Sequence, residues 1–165
     1  MGVEMTILKL GRFTSPLWPC LLLLVLCLGC SSAAQHGVQW RRVVQVVDGD
    51  TLLLDRKARV RLIGVDTPET VDPRRPVQRF GKEASAFTKR MVEGKKVRLE
   101  YDQDRRDRFG RTLAYVYLED GTFLNAEIVK QGYGHAYTQF PFKYLEEFRS
   151  YEREAWEAQR GFWKR

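Results

Sequence analysis

Val43-Val44-Gln45-Val46-Val47-Asp48-Gly49-Asp50-Thr51-Leu52-Leu53-Leu54, continued by Arg59-Val60-Arg61-Leu62-Ile63-Gly64-Val65-Asp66, is the stretch on which the fold turns. Its β-branched run, Val43, Val44, Val46 and Val47, suits a pleated, half-buried surface. The run stops at Asp48-Gly49-Asp50, a turn signal. Thr51 to Leu54 form a second strand, closed by the charged Asp55-Arg56-Lys57. Val60, Leu62 and Val65 then alternate with Arg59, Arg61 and Gly64, the two-residue period of a strand with one buried face. Three short strands joined by tight turns make an antiparallel meander.

Downstream, Thr67-Pro68 ends the third strand, and Pro73-Arg74-Arg75-Pro76 makes a basic, irregular loop. Between Phe80 and Met91, Ala84, Phe87 and Met91 recur at helical spacing, with Gly94 as a stop. Val97, Leu99 and Tyr101 alternate as a fourth strand. Leu113, Tyr115 and Tyr117, or their neighbours Ala114 and Val116, make a fifth that ends at Glu119-Asp120-Gly121. Asn125 reads as the cap of a short helix through Gln131, with Gly132 at its end. In the last helix, Phe142 to Gln159, the stripe Tyr144, Leu145, Phe148, Tyr151, Ala155 and Trp156 reads as core packing. Five short strands with one helix between the third and fourth, and two helices at the end, predict an α+β, mainly β fold. The architecture expected is a five-stranded OB-fold barrel with three helices.

The 165 residues suffice for one domain and an N-terminal appendage. Against 21 acidic side chains stand 28 Lys and Arg, a net charge of +7, which favours polyanionic partners. Residues 1–34 read as an export signal: Lys9 and Arg12, then the apolar run Leu21 to Leu28, then Gly29-Cys30-Ser31-Ser32-Ala33-Ala34. The run is short for a membrane-spanning helix, which needs about 20 apolar residues. Two maturation routes are open. Leu28-Gly29-Cys30 resembles the end of a lipobox, although Cys27 stands where leucine is usual; this route lipidates Cys30 and tethers the domain to a membrane. Ser32-Ala33-Ala34 instead suits release by cleavage before Gln35. Either way the domain over 35–165 is expected outside the cytoplasm, free or in the cell envelope, with a monomer as the default. All the cysteines, Cys20, Cys27 and Cys30, lie in the appendage, so the domain has no disulfide, thiol nucleophile or thiolate metal site.

The carboxylates of the meander are the first chemical interest. Asp50 enters the second strand and Asp66 follows the third, so a meander can bring them together at one end of the sheet. With Glu69 nearby they offer oxygen donors of the kind that calcium takes, whereas zinc is disfavoured by the absence of Cys and the presence of only His36 and His135. Singly, each carboxylate is as well explained by a turn or a strand end. Arg61 and Arg111 are the second interest, because a guanidinium holds phosphate bidentately and stabilises developing charge. Singly, each also passes for an arginine on a solvated strand face.

Order and spacing decide between these readings. Val47-Asp48-Gly49-Asp50-Thr51, followed by Arg61-Leu62-Ile63-Gly64-Val65-Asp66-Thr67-Pro68-Glu69-Thr70, closely resembles the staphylococcal (micrococcal) nuclease family. Asp107-Arg108-Phe109-Gly110-Arg111 with Leu113-Ala114-Tyr115 extends the likeness, as do Gly81-Lys82-Glu83-Ala84-Ser85-Ala86-Phe87-Thr88-Lys89 and Val129-Lys130-Gln131-Gly132. It covers essentially everything from Val43 to Trp163.

The resemblance implies an OB-fold barrel and a site for Ca2+ held by Asp50, Asp66 and the Thr67 main-chain carbonyl. It implies Arg61 and Arg111 on the scissile phosphate, and Glu69 as general base or as organiser of the attacking water. It further implies hydrolysis at P–O5′ of single- and double-stranded DNA and of RNA, with little sequence preference, leaving 3′-phosphate and 5′-hydroxyl ends. Arg108, Phe109 and Tyr137 fall where the family holds nucleotide, with Phe109 replacing a usual tyrosine. Arg74 and Arg75 resemble its basic loop. His135 has no counterpart in the family's chemistry and reads as structural. The rivals are a binding module that has lost its carboxylates, which the intact set argues against, and an adhesive barrel indifferent to calcium.

Overall fold

β1 (Trp40–Asp48) turns at Gly49-Asp50 into β2 (Thr51–Leu54), and the two pair antiparallel from Asp48 opposite Thr51 to Val43 opposite Leu54. The structure is a computed structural model that describes residues 39–70, 76 and 78–164. The expected export segment, with Cys30, and the loop residues Arg74 and Arg75 lie outside the described residues. Along β1 the register shifts between Val43 and Gln45. One extra residue in the ladder inverts the side-chain alternation, which is how Val43 and Val46, three apart, are both buried.

A 3-10 turn at Asp55–Lys57 leads to β3 (Arg59–Leu62), antiparallel to β2. After α1 (Gly81–Val92), β5 (Lys96–Glu100) returns along the first half of β1 and pairs with β6 (Thr112–Leu118). Parallel pairing of β6 with β3, Val60 opposite Thr112 and Leu62 opposite Ala114, closes the barrel in the order β1-β2-β3-β6-β5. Val43, Val46, Leu52, Leu54, Val60, Leu62, Val97, Ala114 and Val116 are buried and belong to its core. With α2 (Leu124–Lys130) and α3 (Leu145–Glu157), the expected five-strand barrel with three helices is what the chain builds.

Three expectations change. The third strand does not run through Val65: it breaks at Gly64, whose φ of 75° is left-handed. A Cβ there would lie 2.7 Å from the Phe142 ring, so glycine is required for space as well as for conformation. Beyond the break, β4 (Val65–Asp66) leaves the barrel and pairs with β7 (His135–Ala136). Asn125 does not cap α2. It lies fully buried in the first turn, accepts from the Val116 N–H at 2.9 Å and donates to the Ile63 and Ala114 carbonyls at 2.9 and 3.2 Å. Backbone groups at the β3–β6 seam outcompete the cap for this amide. Finally, Trp156 is 51% exposed, so the α3 stripe narrows to a face on which Phe148 and Ala155 are fully buried.

Candidate active site

The break at Gly64 swings Asp66 out of the barrel wall, toward the mouth where the β1–β2 turn presents Asp50. Arg61, on β3, lies between them. Its Nη1 is 2.6 Å from Asp50 Oδ2, and its Nη2 is 3.1 Å from Asp66 Oδ1. Asp50 is buried and fixed from several sides. Its Oδ2 accepts the Thr67 N–H at 2.9 Å and the Thr67 hydroxyl at 3.0 Å, while its Oδ1 accepts the Thr51 hydroxyl at 3.1 Å. Asp66 is more open, with 52% of its side chain exposed. Burial still raises its pKa, Arg61 pulls it down, and the like charge of Asp50 raises it again. The close approach of Arg61 Nη1 to Asp50 is a charge contact of poor hydrogen-bond alignment, so this buried nitrogen has no hydrogen-bond partner.

Glu69 stands on the next turn of chain, and its placement depends on Asp48, a residue the sequence presents only as part of a turn. Asp48 accepts the Thr70 hydroxyl at 2.7 Å and the Thr70 N–H at 3.3 Å, and it takes the Gly49 N–H at 2.9 Å. Burial pushes its pKa up to about 6, and a side-chain hydrogen bond with Glu69 pushes the same way, against the bonds from Thr70 and Gly49. Gln78 closes the other side of the loop, its side-chain oxygen accepting the Glu69 N–H at 2.9 Å. Below the turn, the Thr88 hydroxyl of α1 donates to the Gly49 carbonyl at 2.7 Å. Gly49 itself tolerates no side chain, since a Cβ would meet Thr67 Oγ1 at 2.7 Å. Asp48, Gln78 and Thr88 therefore position the Glu69 segment; Asp48 and Thr88 fall within stretches that resemble the family, but nothing in the sequence gives them this role.

Arg111 arrives from the loop between β5 and β6. Its Nε donates to Asp107 Oδ2 at 2.6 Å, and its backbone N–H donates to Asp107 Oδ1 at 2.9 Å. Burial works against the charge on Asp107, but these bonds and the N–H of Phe109 hold its carboxyl below the usual range. Arg61, Asp66, Arg111, Arg108, Phe109 and Tyr137 line one cleft of about 570 Å³. Phe109 is 68% exposed, with the guanidinium carbons of Arg108 and Arg111 at 4.8 and 5.4 Å from its ring centre. Tyr137 faces the cleft from the segment after β7, its N–H donating to the Gly64 carbonyl at 3.0 Å. Phe140, which no sequence motif marks, is 65% exposed on the same wall and 6.0 Å from the Tyr137 ring. Asp50, Thr67 and Glu69 sit beside the cleft rather than on its lining.

The donor chemistry fits a hard cation. Asp50 and Asp66 are carboxylates held by one guanidinium, and Thr67, whose carbonyl completes the expected set, is tied directly to Asp50. Arg61 Nη1, 2.6 Å from Asp50 yet without a hydrogen bond, marks a spot where charge governs the packing. Among the described residues no three His, Cys, Asp or Glu side chains come close enough to cage a metal. Two carboxylates and a main-chain carbonyl are oxygen donors of the kind that a hard cation takes alongside water.

Similarity to known proteins agrees with this geometry. The sequence model described as "Staphylococcal nuclease homologue" matches residues 59–165. The chain is 46% identical over 129 residues to the protein named thermonuclease from Staphylococcus hyicus, covering 76% of each chain. It is 47% identical over 127 residues to that named thermonuclease from Staphylococcus intermedius, covering 74% of this chain and 75% of the other. Endonuclease YncB of Bacillus subtilis is 38% identical over 141 residues, 79% of this chain and 66% of its own. By barrel, cleft and sequence alike, the chain belongs to the staphylococcal nuclease family.

Proposed function

We propose that this protein is a calcium-dependent nuclease that hydrolyses DNA and RNA at P–O5′, leaving 3′-phosphate and 5′-hydroxyl ends. The observation that carries the reading is the convergence of Arg61 and Arg111 on one cleft, with Asp50 and Asp66 paired to Arg61 at 2.6 and 3.1 Å. Relatives named thermonuclease and endonuclease support the same class of reaction.

Asp50, Asp66 and the Thr67 carbonyl would hold the ion. When bound, calcium supplies positive charge to a phosphate oxygen and favours the hydroxide form of a neighbouring water. Arg61 has donors left over from its carboxylates and turns them to a phosphate oxygen. Arg111 is braced by Asp107, so its guanidinium is fixed before substrate arrives and needs no reordering as charge builds. The water oxygen attacks phosphorus in line, the new P–O bond forms as the P–O5′ bond breaks, and a proton passes to the departing 5′-oxygen. Glu69 either accepts the proton of the attacking water or orients that water. Because water is the nucleophile, no ribose 2′-hydroxyl is needed and both nucleic acids qualify. Phe109 and Tyr137 offer rings for a base, while Arg108 offers charge for a phosphate. The reading extends to export, with the domain acting outside the cytoplasm, either free or tethered through Cys30.

The deciding experiment incubates the purified chain with single-stranded DNA, in calcium and in excess chelator. Cutting in calcium alone, with 3′-phosphate ends on the products, is the expected result. Intact substrate in calcium, from a protein that still unfolds cooperatively, would reduce the cleft to a binding site.

A further inference from the structure

Away from the cleft, exposed positive charge gathers on the outer wall of the β1–β5 ladder. Register decides which side chains share that wall: Trp40 lies opposite Arg98, and Arg42 lies opposite Lys96. Paired residues point to the same side of a sheet. Arg41 and the buried Val97, paired between them, point to the other side. Trp40 is 40% exposed, and Arg42 and Lys96 are exposed. Arg98 spreads its guanidinium over the Tyr117 ring, 4.3 Å from the centre. Glu100, 3.7 Å from Arg98, is held more closely by Lys143 at 2.9 Å. Arg42 donates to the Gly94 carbonyl, and neither Arg42 nor Lys96 forms an ion pair among the described residues.

The wall connects to the cleft along β5. Asp102, which lines the cleft, follows Arg98 by four residues and Lys96 by six. At about 3.3 Å per residue these are spans of about 13 and 20 Å. Arginines stacked on aromatic rings mark the way. Arg105 lies 4.9 Å from the centre of Tyr101, which is 42% exposed, and Arg108 lies 4.8 Å from that of Phe109 at the cleft. Rings that accept stacked bases, alternating with cations that accept phosphates, are how proteins hold single strands without reading sequence. A bilayer would instead favour a broad apolar face, whereas here the Tyr117, Tyr101 and Phe109 rings each have a guanidinium beside them.

We propose that Trp40, Arg42, Lys96 and Arg98 form a second, non-catalytic site for single-stranded nucleic acid, which holds the substrate strand at a distance from the bond being cut. The proposal rests on the nuclease reading for its ligand. At the 3.4 Å rise of a stacked strand, the wall engages nucleotides about four to six positions from the cleft. A short substrate cannot reach it and a long one can.

The test compares cleavage of a trinucleotide with that of an oligonucleotide several times longer than this span, using the full chain and its Arg42→Glu/Lys96→Glu and Trp40→Ala variants. Arg42→Gln/Lys96→Gln serves as the milder pair should charge reversal disturb the ladder. The variants should raise KM for the long substrate about tenfold, with kcat and trinucleotide kinetics unchanged. The double variant should also flatten the dependence of log affinity on log salt by about 1.4, two phosphate contacts' worth for a single strand. Equal losses on both lengths, or none on either, overturn the proposal. Anisotropy of the labelled long oligonucleotide in chelator reads the wall even if no cutting occurs, so failure of the nuclease reading stays distinguishable. Variants that keep oligonucleotide binding but release phosphatidylglycerol vesicles would make the wall a lipid surface, and the proposal would fall.

Discussion

Arg111 shows how much of a site is made by a residue's neighbours. A free arginine side chain must be ordered before it can meet a developing charge, and Asp107 has done that ordering with bonds to both Nε and the backbone N–H. Arg111→Ala should therefore lower kcat by about 10³ to 10⁵, the range in which a transition-state arginine acts, with thermal unfolding nearly unchanged. Asp107→Asn keeps the guanidinium but loosens it. A fall of about tenfold in kcat is expected, and a loss as large as that of Arg111→Ala would show that Asp107 does more than position. Asp50→Asn removes charge from the point where Thr51, Thr67 and Arg61 converge. Its activity should need far more calcium to saturate, which a calcium titration of initial rates would show. An unchanged half-saturation point would take Asp50 out of the ion's coordination.

At the scale of elements, Asn125 holds the seam between β3, β6 and α2 through three backbone groups. Asn125→Ala takes the amide from the Val116 N–H and the Ile63 carbonyl, at about 1–3 kcal/mol apiece when unrelieved, while the Ala114 carbonyl keeps the Ile63 N–H at 3.1 Å. A loss of about 3 kcal/mol in urea unfolding is the expected outcome. Gly64→Ala strains a left-handed residue and drives a methyl into Phe142, so it should cost about 2 kcal/mol and displace Asp66. The contrast between these positions shows what the sequence could reveal. Strand periodicity and turn residues were enough for five strands and three helices, because alternation and helical spacing are local signals. Arg61, Asp66 and Arg111 stood out only through order and spacing shared with a family, and the structure brings them to one cleft. Asn125 reads as a cap because Asn before a helix usually is one, and only the tertiary seam shows what its amide binds. Asp48 was hidden for a similar reason. Its partners Thr70 and Glu69 lie more than twenty residues on, and nothing local announces them.

Over the whole molecule, Asp102 joins distant parts of the chain. It accepts from the Tyr115 hydroxyl of β6 and, at 2.8 Å, from the Lys143 N–H ahead of α3. Burial opposes its charge, but these bonds together hold its carboxyl below the ordinary range, while burial first and the bond to Asp102 second push the Tyr115 hydroxyl up. The stabilisation is thus complete above the ordinary carboxyl value near ~3.9 and disappears as pH falls through the lower folded value. Asp102→Asn should be less stable at neutral pH by about 1.5–3 kcal/mol, and the gap to the parent protein should shrink on acidification. Urea melts at a series of pH values would show it, and a gap independent of pH would remove Asp102 from the acid response. The parallel pairing of β3 with β6 has a consequence of another kind. Two seams of the barrel join stretches far apart in the chain: Trp40 must find Arg98, and Leu62 must find Ala114. Loop-closure entropy makes such distant pairings late and slow. A chain emerging from a ribosome cannot complete its barrel until residue 118 is free, and until then β3 offers a bare edge to any passing strand. The most vulnerable moment for this protein is its birth.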